Sequence, residues 1–330
     1  KLQWSAEAFT GGYVFPGRDS RLTEDSIRPL SNRYLDVSLS GPVGSPENNL
    51  LLSANYYSTD SHLRGTRLFR PDDRADFEQG LRTPTGDGKE VALGWSKEYT
   101  GVAKYTNRSL PGLRFSYQAI YNRIRARAAN WNFRFNPEGQ KRQKTWALVH
   151  GVDLNYTVNA SSFATFSVRQ SLFDYRDRVY EDAWDARYDS AGPVVSDPTF
   201  ENGAVVQGVD FGRFHQRTNG IVLKASATSQ ITREHNVKAG AEVLVPAVSF
   251  GTTEHLRYAS VGGVSQLLRY EDQPPDFPGV KTYHPLYLSA YGQDQIEWTD
   301  LTLRAGLRLD YFDARARVPS DPGNPANAIA

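Results

Sequence analysis

The chain has 330 residues, a net charge of +1, 39% hydrophobic and 12% aromatic residues, and neither cysteine nor methionine. The near-zero charge argues against a nucleic-acid-binding protein, and the lack of cysteine excludes disulfides, thiolate metal sites and cysteine nucleophiles. No apolar run approaches the ~18 residues that a membrane-spanning helix needs, which excludes a helical membrane protein. Since the chain begins at Lys1 and lacks methionine, we expect it to be a fragment.

Alternation of apolar and polar residues predicts β-strands along the chain. In the clearest case, Leu303 and Leu307 share a face opposite Arg304 and Arg308. No segment has convincing helical periodicity, so the predicted fold class is all-β. The predicted strands lie near residues 2–9, 34–40, 49–57, 98–106, 113–121, 145–158, 164–172, 221–228, 237–243, 286–298 and 301–311.

The predicted connections alternate strictly between short and long. The short ones lie near residues 41–48, 107–112, 159–161, 232–236 and 299–300. The long ones lie near residues 11–33, 58–97, 122–143, 177–216 and 246–285. Antiparallel up-and-down strands with tight turns at one end and long loops at the other produce this pattern, which is typical of an outer-membrane β-barrel. Strands of about ten residues also fit a tilted crossing of the bilayer.

The alternative fold is a soluble β-sheet protein, such as a carbohydrate-binding module, because its strands alternate too. Soluble all-β domains keep most connections short, however. Aromatic residues also gather at strand ends, as with Trp146 and Tyr156, where the girdles of membrane barrels lie. We therefore predict an antiparallel transmembrane β-barrel. Its lumen-facing polar candidates, for which solvation alone is the other interpretation, are Arg169, Lys224, Glu242, Arg304 and Arg308.

The sequence offers no catalytic or metal-binding motif. The acidic stretch of Asp174, Asp177, Glu181, Asp182 and Asp185 lacks the spacing of a calcium loop and is interpreted as a solvated loop. The six histidines form no metal-ligand motif, and His150 falls on the apolar face of its strand. We expect no enzymatic activity, no cofactor and no metal.

Several strings resemble TonB-dependent outer-membrane receptors. Residues 289–313 are similar to a barrel segment in which an aromatic-x-QD strand, a tight turn and an LxxxxGLRxDYF-like strand follow one another. Residues 38–43 resemble the family's second strand and first periplasmic turn, whereas 86–91, 135–139 and 179–188 resemble large receptors with a carboxypeptidase-regulatory-like N-terminal extension. The matching positions in the first segment are Tyr291, Gln293, Asp294, Gly306, Leu307, Arg308, Asp310, Tyr311 and Phe312.

The resemblance implies a barrel of about 22 strands closed around a plug. Residues 1–330 would then supply about eleven strands, the N-terminal half of the barrel, while the plug and the C-terminal strands lie outside this chain. It further implies TonB-energised uptake of a bulky, scarce ligand (a siderophore, cobalamin, glycan or peptide) across the outer membrane of a Gram-negative cell. The implied partners are that ligand, the TonB complex through the missing N-terminal part, and outer-membrane lipid, with no nucleic acid. A passive porin-type barrel is the alternative within membranes.

Overall fold

The computed structural model describes residues 1–13, 28–76, 79–252, 254–270, 280 and 282–316. Parts of the predicted loops 11–33 and 246–285 lie outside the described residues. The described chain is almost entirely antiparallel β-sheet. It has no helix that is long and apolar enough to cross a membrane.

The described residues form twenty strands, one α-helix and two 3-10 turns. The helix is α1 (Arg187–Ala191), and the 3-10 turns are Trp131–Phe133 and Pro137–Gly139. The strands are β1 (Gln3–Gly11), β2 (Asn32–Val43), β3 (Ser45–Asp60), β4 (Arg64–Thr66), β5 (Ala75–Asp76), β6 (Leu81–Arg82), β7 (Glu90–Ala92), β8 (Trp95–Leu110), β9 (Leu113–Arg127), β10 (Arg142–Asn159), β11 (Ser162–Arg178), β12 (Val195–Ser196), β13 (Val205–Gln207), β14 (Phe214–Gln230), β15 (His235–Gly251), β16 (His255–Val261), β17 (Val264–Tyr270), β18 (Thr282–Tyr283), β19 (Leu286–Glu297) and β20 (Thr302–Asp313).

Eleven long strands form one sheet, which we call the wall. Their order is β1-β2-β3-β8-β9-β10-β11-β14-β15-β19-β20, and β18 adds a short pairing to β15. Every long strand is antiparallel to the next long strand in the chain. All eleven predicted strands and their up-and-down order are therefore confirmed. The edge strands β1 and β20 do not pair with each other among the described residues, so the sheet is open.

The two ends of the wall carry different connections. At one end the turns are tight: Gly44 alone separates β2 from β3, and Pro111 and Gly112 separate β8 from β9. Gly44 and Gly112 have φ angles of 75° and 71°, a region that glycine occupies without steric cost. At the other end lie the long connections, including 61–94 and 179–213. The predicted alternation of short and long connections is confirmed.

The two faces of the wall differ in polarity. Cross-strand partners share a face, so each row of paired residues belongs to one face. Leu223 pairs with Val168 and Val243, whereas the next residue, Lys224, pairs with Ser167 and Glu242. The first row belongs to the outer face, which is apolar along the middle of the strands, and the second belongs to the polar face. Soluble monomers rarely expose an apolar surface that runs across so many strands. The outer face therefore suits a lipid environment.

The hydrophobic core lies beyond the wall. In the described part of the chain, none of the fully buried apolar side chains belongs to the eleven long strands. They belong instead to the long connections 61–94, 128–141 and 179–213, and the β16–β17 hairpin packs against the last of these through Leu256 and Leu267. We call this folded end the cap. Its buried apolar residues are Phe69, Ala92, Leu93, Phe133, Ala183, Tyr188, Ala191, Ala204, Val205, Val206 and Val209.

Candidate functional site

The polar face of the wall carries cross-strand ion pairs. Lys224 on β14 lies directly opposite Glu242 on β15, and its Nζ is 3.0 Å from Oε2 of Glu242. Arg169 on β11 reaches Asp153 on β10, with Nη2 2.6 Å from Oδ2. These side chains are partly exposed, and such pairs contribute little stability, about 0–1 kcal/mol each. Their main physical effect is to fix charges along this face.

A groove of about 470 Å³ lies near the edge of the wall, between β15, β19 and β20. Nε of Arg304 donates to Oε1 of Gln295 at 2.6 Å. Nη2 of Arg308 lies 2.8 Å from Oδ1 of Asp310. The polar side chains of the groove are Lys238, Tyr291, Gln293, Arg304 and Arg308.

The position of Tyr291 in this groove depends on a glycine opposite it. Gly240 is the direct cross-strand partner of Tyr291. A Cβ atom at position 240 would lie 2.8 Å from the tyrosine ring, too close for ordinary contact. Nζ of Lys238 lies 6.0 Å from the centre of the same ring. Glycine within a strand often marks such a close approach, and here it lets an aromatic ring lie along the wall.

The predicted site residues form more than one group. Lys224 and Glu242 are paired, Arg304 and Arg308 line one groove, and Arg169 pairs with Asp153 instead of with the other four. Their part in transport stays a prediction. Sequence reasoning did not select the residues beside them, which are the contact partners Asp153, Gln295 and Asp310 and the groove residue Lys238. Alternation places these partners on the polar face, but the contacts depend on cross-strand register, which alternation does not supply.

One buried arginine ties the connections of the cap together. The side chain of Arg213 is fully buried. Nη1 donates to the carbonyl of Tyr180 at 2.9 Å and to the hydroxyl of Tyr188 at 3.0 Å. Nη2 donates to the carbonyl of Glu181 at 2.8 Å, and Nε lies 3.0 Å from Oε2 of Glu254. Arg213 thus joins the connection 179–213 to the residue that precedes the β16–β17 hairpin.

Residues 135–139, one of the strings behind the family resemblance, also build the cap. The buried Asn136 donates from Nδ2 to the carbonyl of Gly208 at 2.9 Å. The carbonyl of Phe135 accepts from the backbone N–H of Phe69 at 2.9 Å, and that of Gly139 accepts from Asp210 at 2.9 Å. This short string therefore holds the connections 61–94 and 179–213 against 128–141.

The acidic stretch is not one solvated loop. Asp174 and Asp177 lie within β11. Asp174 is buried and pairs with Arg176 and His215, at 2.9 and 3.0 Å. Asp177 pairs with Nζ of Lys141 at 3.2 Å. The prediction of a solvated loop is therefore wrong for these two residues, because β11 continues beyond the point where its outer face stops being apolar.

Asp185, in the same stretch, belongs to the cap. Hydrogen bonds from the Arg187 side chain, and then from the Arg187 backbone N–H, lower the pKa of Asp185 to about 2. The guanidinium of Arg187 also lies 4.0 Å from the centre of the Tyr180 ring. Asp185 is consequently an anion at neutral pH that orients Arg187 against Tyr180.

A cleft of about 740 Å³ separates three connections of the cap. Arg142 and Lys144 contribute to its lining from β10, on the side of that strand that faces outward. The cleft therefore borders the outward-facing side of β10. Its charged lining is mixed and comprises Arg67, Arg70, Asp72, Asp87, Glu138, Arg142, Lys144, Glu181 and Arg187.

His150 lies on the outer face, as the alternation predicts, within a short polar chain. Nε2 of His150 is 3.2 Å from Oε1 of Gln170, and Nδ1 is 3.5 Å from the hydroxyl of Tyr117. Nε2 of Gln170 donates to Oδ1 of Asn219 at 2.9 Å. Polar groups facing lipid must find partners within the protein, and these four side chains supply them to one another.

The wall and cap have counterparts among solved structures. No protein-family profile matches the chain, and no curated protein matches its sequence. The outer membrane transporter YddB from Escherichia coli superposes with a TM-score of 0.64 and 12% identity, over 95% of this chain and 39% of that one. The ferric enterobactin receptor PfeA from Pseudomonas aeruginosa gives 0.54 and 11%, over 94% and 40%. FpvA of P. aeruginosa, in a complex with a pyoverdine and iron, gives 0.53 and 13%, over 85% and 35%.

At these low identities the likeness establishes the fold. The chain has the fold of part of the β-barrel in these three structures, so the resemblance to TonB-dependent receptors is confirmed at the level of architecture. The present chain spans between 35% and 40% of the length of these three structures.

Proposed function

We propose that the complete protein lies in the outer membrane as a receptor that takes up a bulky ligand with energy delivered through TonB. The observation that carries the proposal is the difference between the two faces, and between the two ends, of one sheet. Long strands present an apolar face and a charged face, and their long connections fold into a cap at one end. The shared fold with YddB, PfeA and FpvA supports the same role.

In this proposal the cap captures the ligand and the polar face conducts it. A barrel of about 22 strands has a lumen wide enough to leak and is kept plugged. Passage then needs work to rearrange the plug, whereas capture at the surface needs none. The residues of this chain act by binding and positioning, without covalent chemistry.

Iron chelates are the first ligand class to test. PfeA is a ferric enterobactin receptor, and FpvA binds a ferric pyoverdine. In the present chain, the groove between β15 and β20 gathers Lys238, Arg304 and Arg308, with the carboxylates of Asp310 and Glu242 nearby. Such an excess of cations suits an anionic chelate.

The test is accumulation of radioiron by cells that make the complete protein. Iron-loaded enterobactin and pyoverdine are supplied separately to cells with and without TonB, and with and without a protonophore. We expect surface binding in every case and accumulation only when TonB and the proton gradient are both intact. Equal accumulation without TonB would instead identify a passive porin-type barrel. Lack of binding by either chelate would reject the iron-chelate class, and TonB dependence would then be tested with cobalamin, glycan and peptide ligands.

A further inference from the structure

A continuous row of basic residues crosses the outer face near the cap. The strand register places Lys97 opposite Arg125, Arg125 opposite Lys144, and Lys144 opposite Arg176, on four neighbouring strands. Arg123 precedes Arg125 by two residues and shares its face. Like charges directly opposite one another, about 5 Å apart, destabilise a sheet. Negative charge close to such a row therefore stabilises the sheet.

The chain supplies that charge for only part of the row. Lys144 pairs with Glu181, and Arg176 pairs with Asp174 at 2.9 Å. Within the described ranges, Arg123 and Arg125 have no acidic partner, and both are exposed. Lys97 is also exposed and lies 5.8 Å from the centre of the Trp95 ring. We call Lys97, Arg123 and Arg125 the basic trio.

An apolar groove of about 390 Å³ lies next to the basic trio on the same outer face. Gly101 forms part of its floor, and no atom lies within 4 Å of the place where a Cβ would stand. Along β9 the groove residue Tyr121 is followed two residues later by Arg123, so the groove begins about 7 Å from the trio, and along β8 Gly101 lies about 13 Å from Lys97. Its apolar side chains include Val37, Leu52, Ala54, Ala103 and Tyr121.

We propose that the basic trio and this groove together bind a phosphate-bearing lipid of the outer leaflet. Two guanidinium groups can each offer paired N–H donors to phosphate oxygens, and Lys97 adds a third cation. The groove accepts one acyl chain of the same molecule. The proposal rests on the placement of the wall in the outer membrane, but it does not depend on TonB or on the transported ligand.

The arrangement favours a lipid over a soluble anion because the site combines cations with an apolar groove. A phosphate-bearing lipid combines an anionic headgroup with apolar acyl chains in the same way. Lys97 and Arg125 lie on the cap side of the aromatic pair Tyr56 and Tyr99, whose ring centres are 4.9 Å apart, and Arg123 lies directly opposite Tyr99. The groove lies on the other side of that pair, within the apolar band. Aromatic residues at this height mark the membrane interface, which places the trio at headgroup level and the groove among acyl chains.

The first experiment compares three probes on the purified complete protein in a non-ionic detergent. Binding is measured for bisphosphorylated lipid A, for the same lipid without phosphates, and for inorganic phosphate. We expect removal of the phosphates to weaken lipid binding about tenfold or more. We expect inorganic phosphate at the lipid's concentration not to compete. Equal binding of the two lipids, or full competition by inorganic phosphate, would overturn the proposal.

The second experiment assigns the site to these residues. The triple variant Lys97→Gln, Arg123→Gln, Arg125→Gln should weaken binding of the phosphorylated lipid about tenfold or more. Gly101→Leu should fill the groove without a clash and weaken binding of the acylated lipid but not of its deacylated headgroup. Arg217→Gln is the matched control, because Arg217 is an exposed outer-face arginine three strands away on β14, and its binding should be unchanged.

Heat-modifiable migration of each variant verifies that the barrel has folded. Unaltered lipid binding by both the triple variant and Gly101→Leu would contradict the proposal. The outcome is independent of the proposed uptake function: TonB-dependent accumulation can persist in a protein that fails the lipid test, and lipid binding can persist in one that transports nothing.

Discussion

Removal of Arg213 should loosen the cap while leaving the wall intact. The side chain is fully buried and serves four acceptors: two backbone carbonyls, the Tyr188 hydroxyl and the Glu254 carboxylate. Arg213→Ala removes one donor from each of these groups, although the carbonyl of Tyr180 also accepts from the Tyr188 hydroxyl and that of Glu181 also accepts from Nη1 of Arg178. Breaking a buried charge pair by removing one partner costs about 3–5 kcal/mol, and an unsatisfied buried acceptor costs about 1–3 kcal/mol. Because the Glu254 side chain is 28% exposed and the two carbonyls keep other donors, we expect a loss at the lower end of this range, about 3 kcal/mol, in the free energy of opening the cap.

Hydrogen exchange of the complete protein in detergent measures this loss. Amide protection in residues 179–213 and 254–270 should fall steeply in Arg213→Ala, while β10 and β11 keep their protection. Arg187→Ala is the control, since Arg187 is a mostly exposed cap arginine whose ion pair with Asp185 contributes about 0–1 kcal/mol. Equal protection in both variants, or loss of protection throughout the wall, would refute the account of a separately folded cap.

Three further predictions concern the faces, ends and pH response of the protein. Leu288→Arg, on the outer face, should cost about 2–4 kcal/mol of barrel stability, whereas Ser289→Arg, on the polar face beside Glu242, should cost much less, as measured by urea titration in vesicles. A cysteine replacing Trp184 should react with an impermeant label on intact cells, and one replacing Asp300 should not. Because the pKa of Asp185 falls from 3.8 to about 2, its stabilisation of the cap is present above pH 3.8 and lost as the pH falls through 2. Pepsin cleavage near residue 185 should therefore rise across that window, and Asp185→Asn should abolish the rise.

Alternation identified the strands because it is a local property, but it underestimated their length. Residues 221–228 were predicted for β14, which extends over Phe214–Gln230. Near the cap its outer face carries Arg217 and His215 in place of apolar residues. The backbone hydrogen bonds between the strands continue there, although apolar and polar residues no longer alternate. Polar residues also replace apolar ones on the outer face of β11, at Asp174 and Arg176. For this reason alternation did not predict the end of that strand.

The cap could not be predicted from local patterns. Phe69, Phe133 and Val206 are buried in it but come from three separate connections. No periodicity links such residues, and the contact between connections is fixed by individual hydrogen bonds such as that from Asn136 to Gly208. For the same reason the sequence indicated the charged face of the wall but not which cation meets which carboxylate.

The basic row illustrates the same limit on the outer face. Lys97, Arg125 and Lys144 are each unremarkable in the sequence, because Lys97 and Lys144 stand near the start of their strands and Arg125 near the end of its strand, beyond the clear apolar alternation. Only the register between β8, β9 and β10 shows that they stand side by side.

The most direct test of the account is the accessibility of single cysteines along β14 in outer membranes that contain the complete protein. Fluorophores attached to cysteines at Ile221, Leu223 and Ala225 should be quenched by a lipid-borne quencher. The same cysteines without a label should be protected from a small water-soluble thiol reagent. Cysteines at Val222, Lys224 and Ser226 should show the opposite behaviour, because the strand places them on the polar face. A strict period of two is the expected result. Equal access of water to both sets would contradict a membrane-spanning wall with a polar lumen.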